Sequence, residues 1–294
     1  RVVAAMERLE GPSRLDSLID PLRRAVYALP LGRGRDVLHG RWLGHPAHPI
    51  MVQVPIGAWM SAAVLDLLPG RRRGADALVA VGLAGAGPAA LMGWVDWADL
   101  RKPQMRVGLV HAATNVAAVG LYAASLTARL RGRPRLGRAL GFAGLSAVGL
   151  GGSLGGHLAY HQAAAVNHAE QVQAVVDPGW HPIGDLVDLP IGEPVRRYLG
   201  ETPLFVFREA GGTVYALADR CSHMAGPLSQ GTVAEGCVQC PWHGSVFRLA
   251  DGWNVRGPAI SPQPSFETRV VDGRVEARLV REPHLVHRAA PRSA

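Results

Sequence analysis

The chain has a single lysine, Lys102, among 31 basic residues, few aromatics (6%) and only three cysteines in 294 residues. With lysine almost missing, the formal charge of +8 is carried nearly entirely by arginine. These arginines flank long apolar runs and are not interleaved with aromatics on a polar face, which argues against a nucleic-acid surface. Cys221, Cys237 and Cys240 fall within twenty residues of one another. An odd, clustered set makes a poor disulfide framework and a better metal site. Residues 1–45 have no unbroken apolar core of the length a secretory signal needs. Internal repeats and low-complexity tracts are also missing from the sequence.

The length suggests about two domains. A mean hydropathy of +0.10 is slightly apolar for a protein wholly in water. Charge is unevenly spread: residues 1–179 hold nineteen basic and eleven acidic side chains, residues 180–282 ten and twelve, and Arg288 and Arg292 lie in the tail. A basic half beside a near-neutral half, with nucleic acid set aside, points to a membrane.

Residues 13–28 carry apolar positions at Leu15, Leu18, Ile19, Leu22, Val26 and Tyr27, a helical period. Asp20-Pro21 reads as a cap and first helical position, so two short amphipathic helices are expected within an N-terminal segment, residues 1–45. Four apolar runs follow, Ile50–Pro69, Ala77–Val95, Val107–Ala128 and Ala139–Tyr160. Each is close to the roughly 20 residues that cross a hydrocarbon core. They are apolar on all faces and rich in Gly and Ala, and Arg-rich loops separate several of them, as in a membrane bundle and unlike an Ala-rich soluble one. The expected fold is multidomain: an all-α four-helix transmembrane bundle over 46–162, a linker over 163–183, a small all-β domain over 184–282 and a disordered tail over 283–294. The β reading rests on short runs such as Leu204–Phe207, Thr213–Leu217, Gly244–Leu249 and Thr268–Leu279, with turns at Gly211-Gly212 and Asp272-Gly273.

Inside the β domain, Cys221-Ser222-His223 is followed by sixteen residues and then Cys240-Pro241-Trp242-His243. Two Cys-His pairs offer two thiolates and two imidazoles. A [2Fe–2S] centre can use such a set with both thiolates on one iron and both histidines on the other. The competing reading is a structural zinc site. Zinc fingers group Cys with Cys and His with His, whereas here each Cys precedes its own His. Gly226, Pro227 and Gly244 also keep both loops open around a bulky cluster.

At these residues the chain resembles the Rieske family, in its bacterial ferredoxin-like branch. The resemblance runs from about Gly184 to Leu279 and includes residues 221–228, Cys240-Pro241-Trp242-His243-Gly244-Ser245 and Gly257-Pro258-Ala259. It implies that Cys221, His223, Cys240 and His243 hold the cluster. It implies too that Ser245 donates a hydrogen bond to a bridging sulfide and that the Gly257-Pro258 loop covers it. Respiratory members carry an extra cysteine in each ligand loop, joined as a disulfide; here Gly226 and Trp242 stand there, and Cys237 falls outside the pattern as an inert thiol. A tyrosine two residues after the serine is replaced by Phe247. Fewer hydrogen bonds to the cluster predict a potential in the lower part of the Rieske span of about −150 to +300 mV.

In the apolar half, histidines fall at 45, 48, 111, 157, 161 and 168. Alternating helix directions put all of them near one membrane face. His111 and His157 lie at similar depth, and intramembrane ionisable groups default to function. They are therefore candidate axial ligands of a haem b. The alternative is interfacial histidines bonded to Asp96, Asp99 or Asn115. Gly44-His45-Pro46-Ala47-His48-Pro49, with Pro55-Ile56-Gly57 after it, resembles an uncharacterised four-helix bacterial membrane domain over roughly residues 40–165.

The expected function is a membrane-anchored one-electron carrier in the bacterial cell membrane, solvated by lipid. Its redox donor and acceptor are unknown, and the bundle is a candidate site for haem or quinone. Alternatives are a ferredoxin-like component of an oxygenase or other oxidoreductase system, or a redox sensor. A complete Rieske oxygenase is not expected, since too few residues follow the β domain to carry a mononuclear iron site. Orientation arguments conflict. Loops on the far face hold eight arginines, at 71, 72, 73, 129, 131, 133, 135 and 138, against six basic residues on the Rieske side, at 33, 35, 41, 101, 102 and 106. That leans toward export. Export of a folded cluster domain normally needs a twin-arginine signal, and the run 133–138 before the last helix has no adjacent pair. Reduced thiols also suit the cytosol, so a cytoplasmic Rieske domain is expected.

Overall fold

The computed structural model of the chain describes residues 6–11 and 14–281. The tail expected over 283–294 lies outside the described residues. The fold comprises two compact units, residues 1–165 and 166–294.

The first unit is helical. It starts with α1 (Asp16–Tyr27) and α2 (Gly34–Leu38). The expected break at Pro21 does not occur, and α1 runs through it as one helix. The proline forfeits one backbone hydrogen bond. That loss is offset by an apolar face on which Ile19, Val26, Leu15 and Leu22 pack against Trp97, Leu100 and Met105. Next come α3 (His48–Met51) and α4 (Gln53–Leu67), which together make the span His48–Leu67, then α5 (Arg72–Trp97), α6 (Lys102–Leu130) and α7 (Pro134–Gly156). A π-helical turn, His157–His161, ends the last of them.

These four long helices are candidate membrane spans by length and composition. Only 22–28% of each apolar window is buried within the protein. Apolar surface left in water costs about 25 cal/mol per Å², so faces this bare suit hydrocarbon, not solvent. The interior is held by close aromatic packing. Trp59 stacks on Tyr122 with ring centroids 4.1 Å apart. The pair fits because Gly82 and Gly144 present bare backbone, and a Cβ on either would come within 3 Å of a ring atom. At the end of the bundle remote from the histidines, buried Arg129 donates to buried Asp66 and half-buried Asp76 in a three-charge cluster.

Among its described residues, the second unit opens with a short helix, α8 (Val172–Val175), and holds ten strands and two 3-10 turns, Leu186–Asp188 and Leu228–Gln230. Within the stretch expected as a linker, Val172 and Val176 are buried in this unit's core. A six-stranded antiparallel sheet runs in the order β1-β10-β9-β4-β3-β2: β1 His181–Asp185, β2 Pro194–Leu199, β3 Thr202–Arg208, β4 Val214–Ala218, β9 Ser265–Val271 and β10 Arg274–Leu279. A smaller sheet holds β5 (Thr232–Ala234), β6 (Cys237–Gln239), β7 (Val246–Arg248) and β8 (Asn254–Arg256) in sequence order. Alternation places Phe205, Phe207 and Leu217 of the large sheet in one core with Val238 and Phe247 of the small one. The fold is thus a four-helix region with candidate membrane spans followed by an all-β domain.

Candidate metal centre

Two loops reach one end of that shared core. The first leaves β4 and carries residues 219–230; the second is the turn between β6 and β7, residues 240–245. Each is shaped by its own backbone. In the first, the Cys221 amide donates to the Gly226 carbonyl at 2.8 Å and the Ala225 amide to the Cys221 carbonyl at 2.8 Å. In the second, the Cys240 amide donates to the Ser245 carbonyl at 2.8 Å and the Gly244 amide to the Cys240 carbonyl at 3.1 Å. Gly244 sits at φ +73°, a left-handed conformation that favours glycine.

The loops bring the four expected ligands together in an ordered way. Cys221 and Cys240, 1% and 3% exposed, face inward and belong to the core with Phe205, Leu217, Leu228 and Phe247. The Cys221 thiol donates to the Cys240 sulfur, which brings Cys240 down to about 7, while giving that bond and burial both push Cys221 up. Two sulfurs hydrogen-bonded to each other suit a shared soft metal. His223 and His243 meet edge to face with centroids 5.0 Å apart. His243 is the more open of the two. Two paired thiols and two paired imidazoles, one of each from either loop, with His223 buried and His243 partly exposed, fit the asymmetric ligand demand of a [2Fe–2S] centre of this kind.

The other expected residues surround this set. A Cβ on Gly226 would stand 2.9 Å from Cys240 Sγ and 3.0 Å from the Trp242 ring, so glycine keeps this space clear and an indole covers it. Pro227 follows it and forms a bridge with Arg220. Ser245 is fully buried, and its Oγ accepts the Ala259 amide at 3.1 Å. That leaves the Ser245 hydroxyl proton available for a second partner. Gly257 lies directly on Ser245, where a Cβ would approach its Cα to 2.7 Å, and Pro258 beside it is buried. Asn254 Nδ2 fixes this covering loop by donating to the Ala259 carbonyl at 3.0 Å. Phe247 is buried in the core and brings no polar group. Cys237 lies on β6 opposite Arg248, and burial pushes its thiol up.

Two supporting residues carry no motif. Gln263, completely buried, donates from Nε2 to the carbonyls of Ala218 and Arg220, both at 2.6 Å, and accepts the Ser222 amide at 2.9 Å. It clamps the first ligand loop. Asp219, 1% exposed, accepts the Ser229 amide at 2.6 Å and Arg196 Nε at 2.5 Å, closing the base of the same loop. The available cue for Gln263 was its setting between Pro262 and Pro264, a polar side chain in a segment held extended.

In the helical unit, His111 and His157 have separate partners. His111 Nδ1 donates to the Gly151 carbonyl at 2.8 Å, and its Nε2 accepts Asn115 Nδ2 at 3.2 Å. Both of its ring nitrogens are thus engaged, and the haem expectation gains no support. His157 Nε2 pairs with Glu10 at 2.8 Å. His39, which no apolar run or motif marks, is 2% exposed and lies between Asp96, at 2.8 Å, and Asp99, at 3.4 Å.

Comparison with known proteins agrees with this division. Residues 179–267 match the profile of the Rieske [2Fe-2S] domain, and residues 44–168 match that of a predicted membrane protein family, DUF2231. The chain is 37% identical over 100 residues to the anthranilate 1,2-dioxygenase ferredoxin subunit of Burkholderia cepacia, covering 34% of this chain and 92% of that protein. It is 36% identical over 83 residues to ferredoxin CarAc of Metapseudomonas resinovorans, covering 28% and 77%. It is 33% identical over 89 residues to the 3-phenylpropionate/cinnamic acid dioxygenase ferredoxin subunit of Escherichia coli K12, covering 30% and 82%. The expected pairing of a Rieske domain with a four-helix membrane domain is borne out, and the chain belongs to the Rieske [2Fe–2S] family of electron carriers.

Proposed function

We propose that this protein is a membrane-anchored one-electron carrier whose cluster would be held by Cys221 and Cys240 on one iron and by His223 and His243 on the other. The observation that carries this reading is the donor set itself, with two hydrogen-bonded thiols in a hydrophobic core and two imidazoles packed edge to face from the same two loops. When bound, the cluster supplies a reversible one-electron couple. The protein's own groups tune it: Ser245 offers a hydroxyl proton, the Gly257-Pro258 loop shields the site, and Trp242, half exposed, flanks His243 at the rim. Electrons are exchanged beside His243, the partly exposed ligand.

The acceptor in this proposal is an oxygenase or related oxidoreductase component, since the similar proteins named above are ferredoxin subunits. The four apolar helices anchor the carrier in lipid, and the Rieske domain lies in the cytoplasm, where its cysteines stay reduced. Haem and quinone have no part in the proposal. Purified in detergent, the full chain should hold two irons and two acid-labile sulfides, and Cys221→Ser or Cys240→Ser should abolish the EPR signal of the reduced protein. Zinc without labile sulfide would end this reading. Alkaline phosphatase fused after Ala294 should be inactive; activity there would put the domain on the other side.

A further inference from the structure

The end of the last long helix carries a group of side chains that electron transfer does not use. The turn His157–His161 is π-helical, with the Gln162 amide donating to the His157 carbonyl at 3.0 Å. Such turns inside α-helices recur at functional positions. Here the turn stacks the rings of His157 and His161, four residues apart, at 4.5 Å between centroids and 21° between planes. Glu10 meets both of them. Its Oε1 is 2.8 Å from His157 Nε2 and 3.9 Å from His161 Nε2. One ring nitrogen of each histidine and a Glu10 carboxylate oxygen lie within 4.8 Å of one another. Glu7 is nearby, its Oε1 also 3.9 Å from His161 Nε2.

We propose that Glu10, His157 and His161 bind a divalent transition-metal cation, with zinc the best-matched probe, and that the ion fastens the N-terminal segment to the end of the fourth long helix. Two imidazoles and a carboxylate are a donor set that suits zinc and its d-block neighbours, not calcium or magnesium. Zinc bonds of about 2.0–2.2 Å to nitrogen and oxygen require donor separations a little over 3 Å. The His157–Glu10 pair needs to open slightly and the His161–Glu10 pair to close by less than an ångström, and the exposed His161 ring to turn from the stack so that both ring nitrogens converge on the ion. Neither His161 nor Glu10 is deeply buried, so both can make that adjustment. The fourth position remains for water or for Glu7.

A second contact fixes the carboxylate's place. Arg106, 8% exposed, donates Nη1 to the Glu10 carbonyl at 2.5 Å and grips Asp16 through Nε at 2.6 Å and Nη2 at 2.9 Å. The backbone that carries Glu10 is thus tied to α6 independently of the histidines. An acid supplied from a remote point of the chain and held by an outer partner is the arrangement expected of a preorganised ligand. A carboxylate there only to pair with His157 would not need His161 stacked beside it.

The test uses the full chain in detergent with its cluster loaded, stripped of loose metal with EDTA and dialysed against zinc in the low micromolar range. Iron and zinc per chain are then measured by mass spectrometry. The expected result is one zinc in addition to two irons, with the dissociation constant raised at least tenfold in His161→Ala and again in Glu10→Gln, while the iron content of both variants stays at two. Far-UV circular dichroism and a single elution peak in detergent check that the helical unit of each variant has folded, and unchanged iron shows that the cluster site is untouched. Absence of bound zinc in the parent protein would overturn the proposal, as would zinc retained unchanged by both variants. Zinc gained only as iron is lost would also overturn it, since the ion would then be entering the cluster site.

Discussion

Gln263→Leu removes the clamp on the first ligand loop while keeping most of the side chain's volume. Three backbone groups lose a partner: the Ala218 and Arg220 carbonyls and the Ser222 amide. Arg220 is exposed, so its carbonyl can recover a hydrogen bond from water. Ala218 and Ser222 are 1% and 2% exposed and cannot do so without opening the fold. An unsatisfied buried group costs about 1–3 kcal/mol, so two of them cost roughly 3 kcal/mol after some relaxation. Domains of this size are stable by only about 5–15 kcal/mol, so the loss is a large share. At about 4–8 °C per kcal/mol for a domain of 60–100 residues, the melting midpoint should fall by more than 10 °C. Thermal loss of the cluster's visible circular dichroism in the full chain reads this directly. Gln263→Glu should be no better, because it places a carboxylate against two carbonyl oxygens. If Gln263→Leu melts within about 2 °C of the parent with full iron content, the three contacts do not stabilise the loop and the argument fails.

Ser245→Ala deletes the acceptor of the Ala259 amide and the hydroxyl offered to the cluster, so the potential measured by redox titration should fall by about 60 mV, the equivalent of a tenfold shift in a one-electron couple. A potential equal to that of the parent would remove Ser245 from the site. Gly226→Ala puts a Cβ 2.9 Å from Cys240 Sγ, and iron analysis of the purified variant should show the cluster lost or much reduced. His39 is pulled down by burial, but its bonds to Asp96 and Asp99 outweigh this and raise it to about 9. A raised folded pKa means the stabilisation is complete below the unfolded value near 6.5 and is lost as pH rises through 9. The loss is of the order of 3 kcal/mol, read as a falling melting temperature of the helical unit between about pH 7 and 9 that His39→Gln should flatten.

The ligands were legible because metal chemistry restricts residue type and spacing together. Few other demands put Cys and His two or three apart, twice, in a short β domain. Their support was not legible. Gln263 and Asn254 act on backbone carbonyls and amides, which every residue has, so their partners leave no trace in residue type. Strands β3, β4, β9 and β10 declared themselves by β-branched and aromatic runs with glycine turns. Strands β5, β6 and β8 are three residues each, too short for an alternation to show against the loops around them. The bundle was legible for the converse reason: lipid imposes apolar character on every face over a fixed length. Pro21 misled because a helix with one well-packed face tolerates a missing hydrogen bond that an isolated helix would not.

The charged side chains of the bundle were the hardest to read, and their placement separates its two ends chemically. Arg129 looks in the sequence like one more basic loop residue. In the fold it is 3% exposed and satisfied by Asp66 and Asp76, two carboxylates from the helices on either side of the first loop. Breaking such a buried cluster costs about 3–5 kcal/mol, so it ties α4, α5 and α6 together at that end. An arginine cannot give up its proton under physiological conditions, so this cluster is confined to one state. The opposite end uses histidine where this end uses arginine: His39 between two aspartates, and His157 and His161 around Glu10. Imidazole can take a metal, and guanidinium cannot. Chemistry beyond anchoring is therefore expected at the histidine end of the bundle and not at the arginine end.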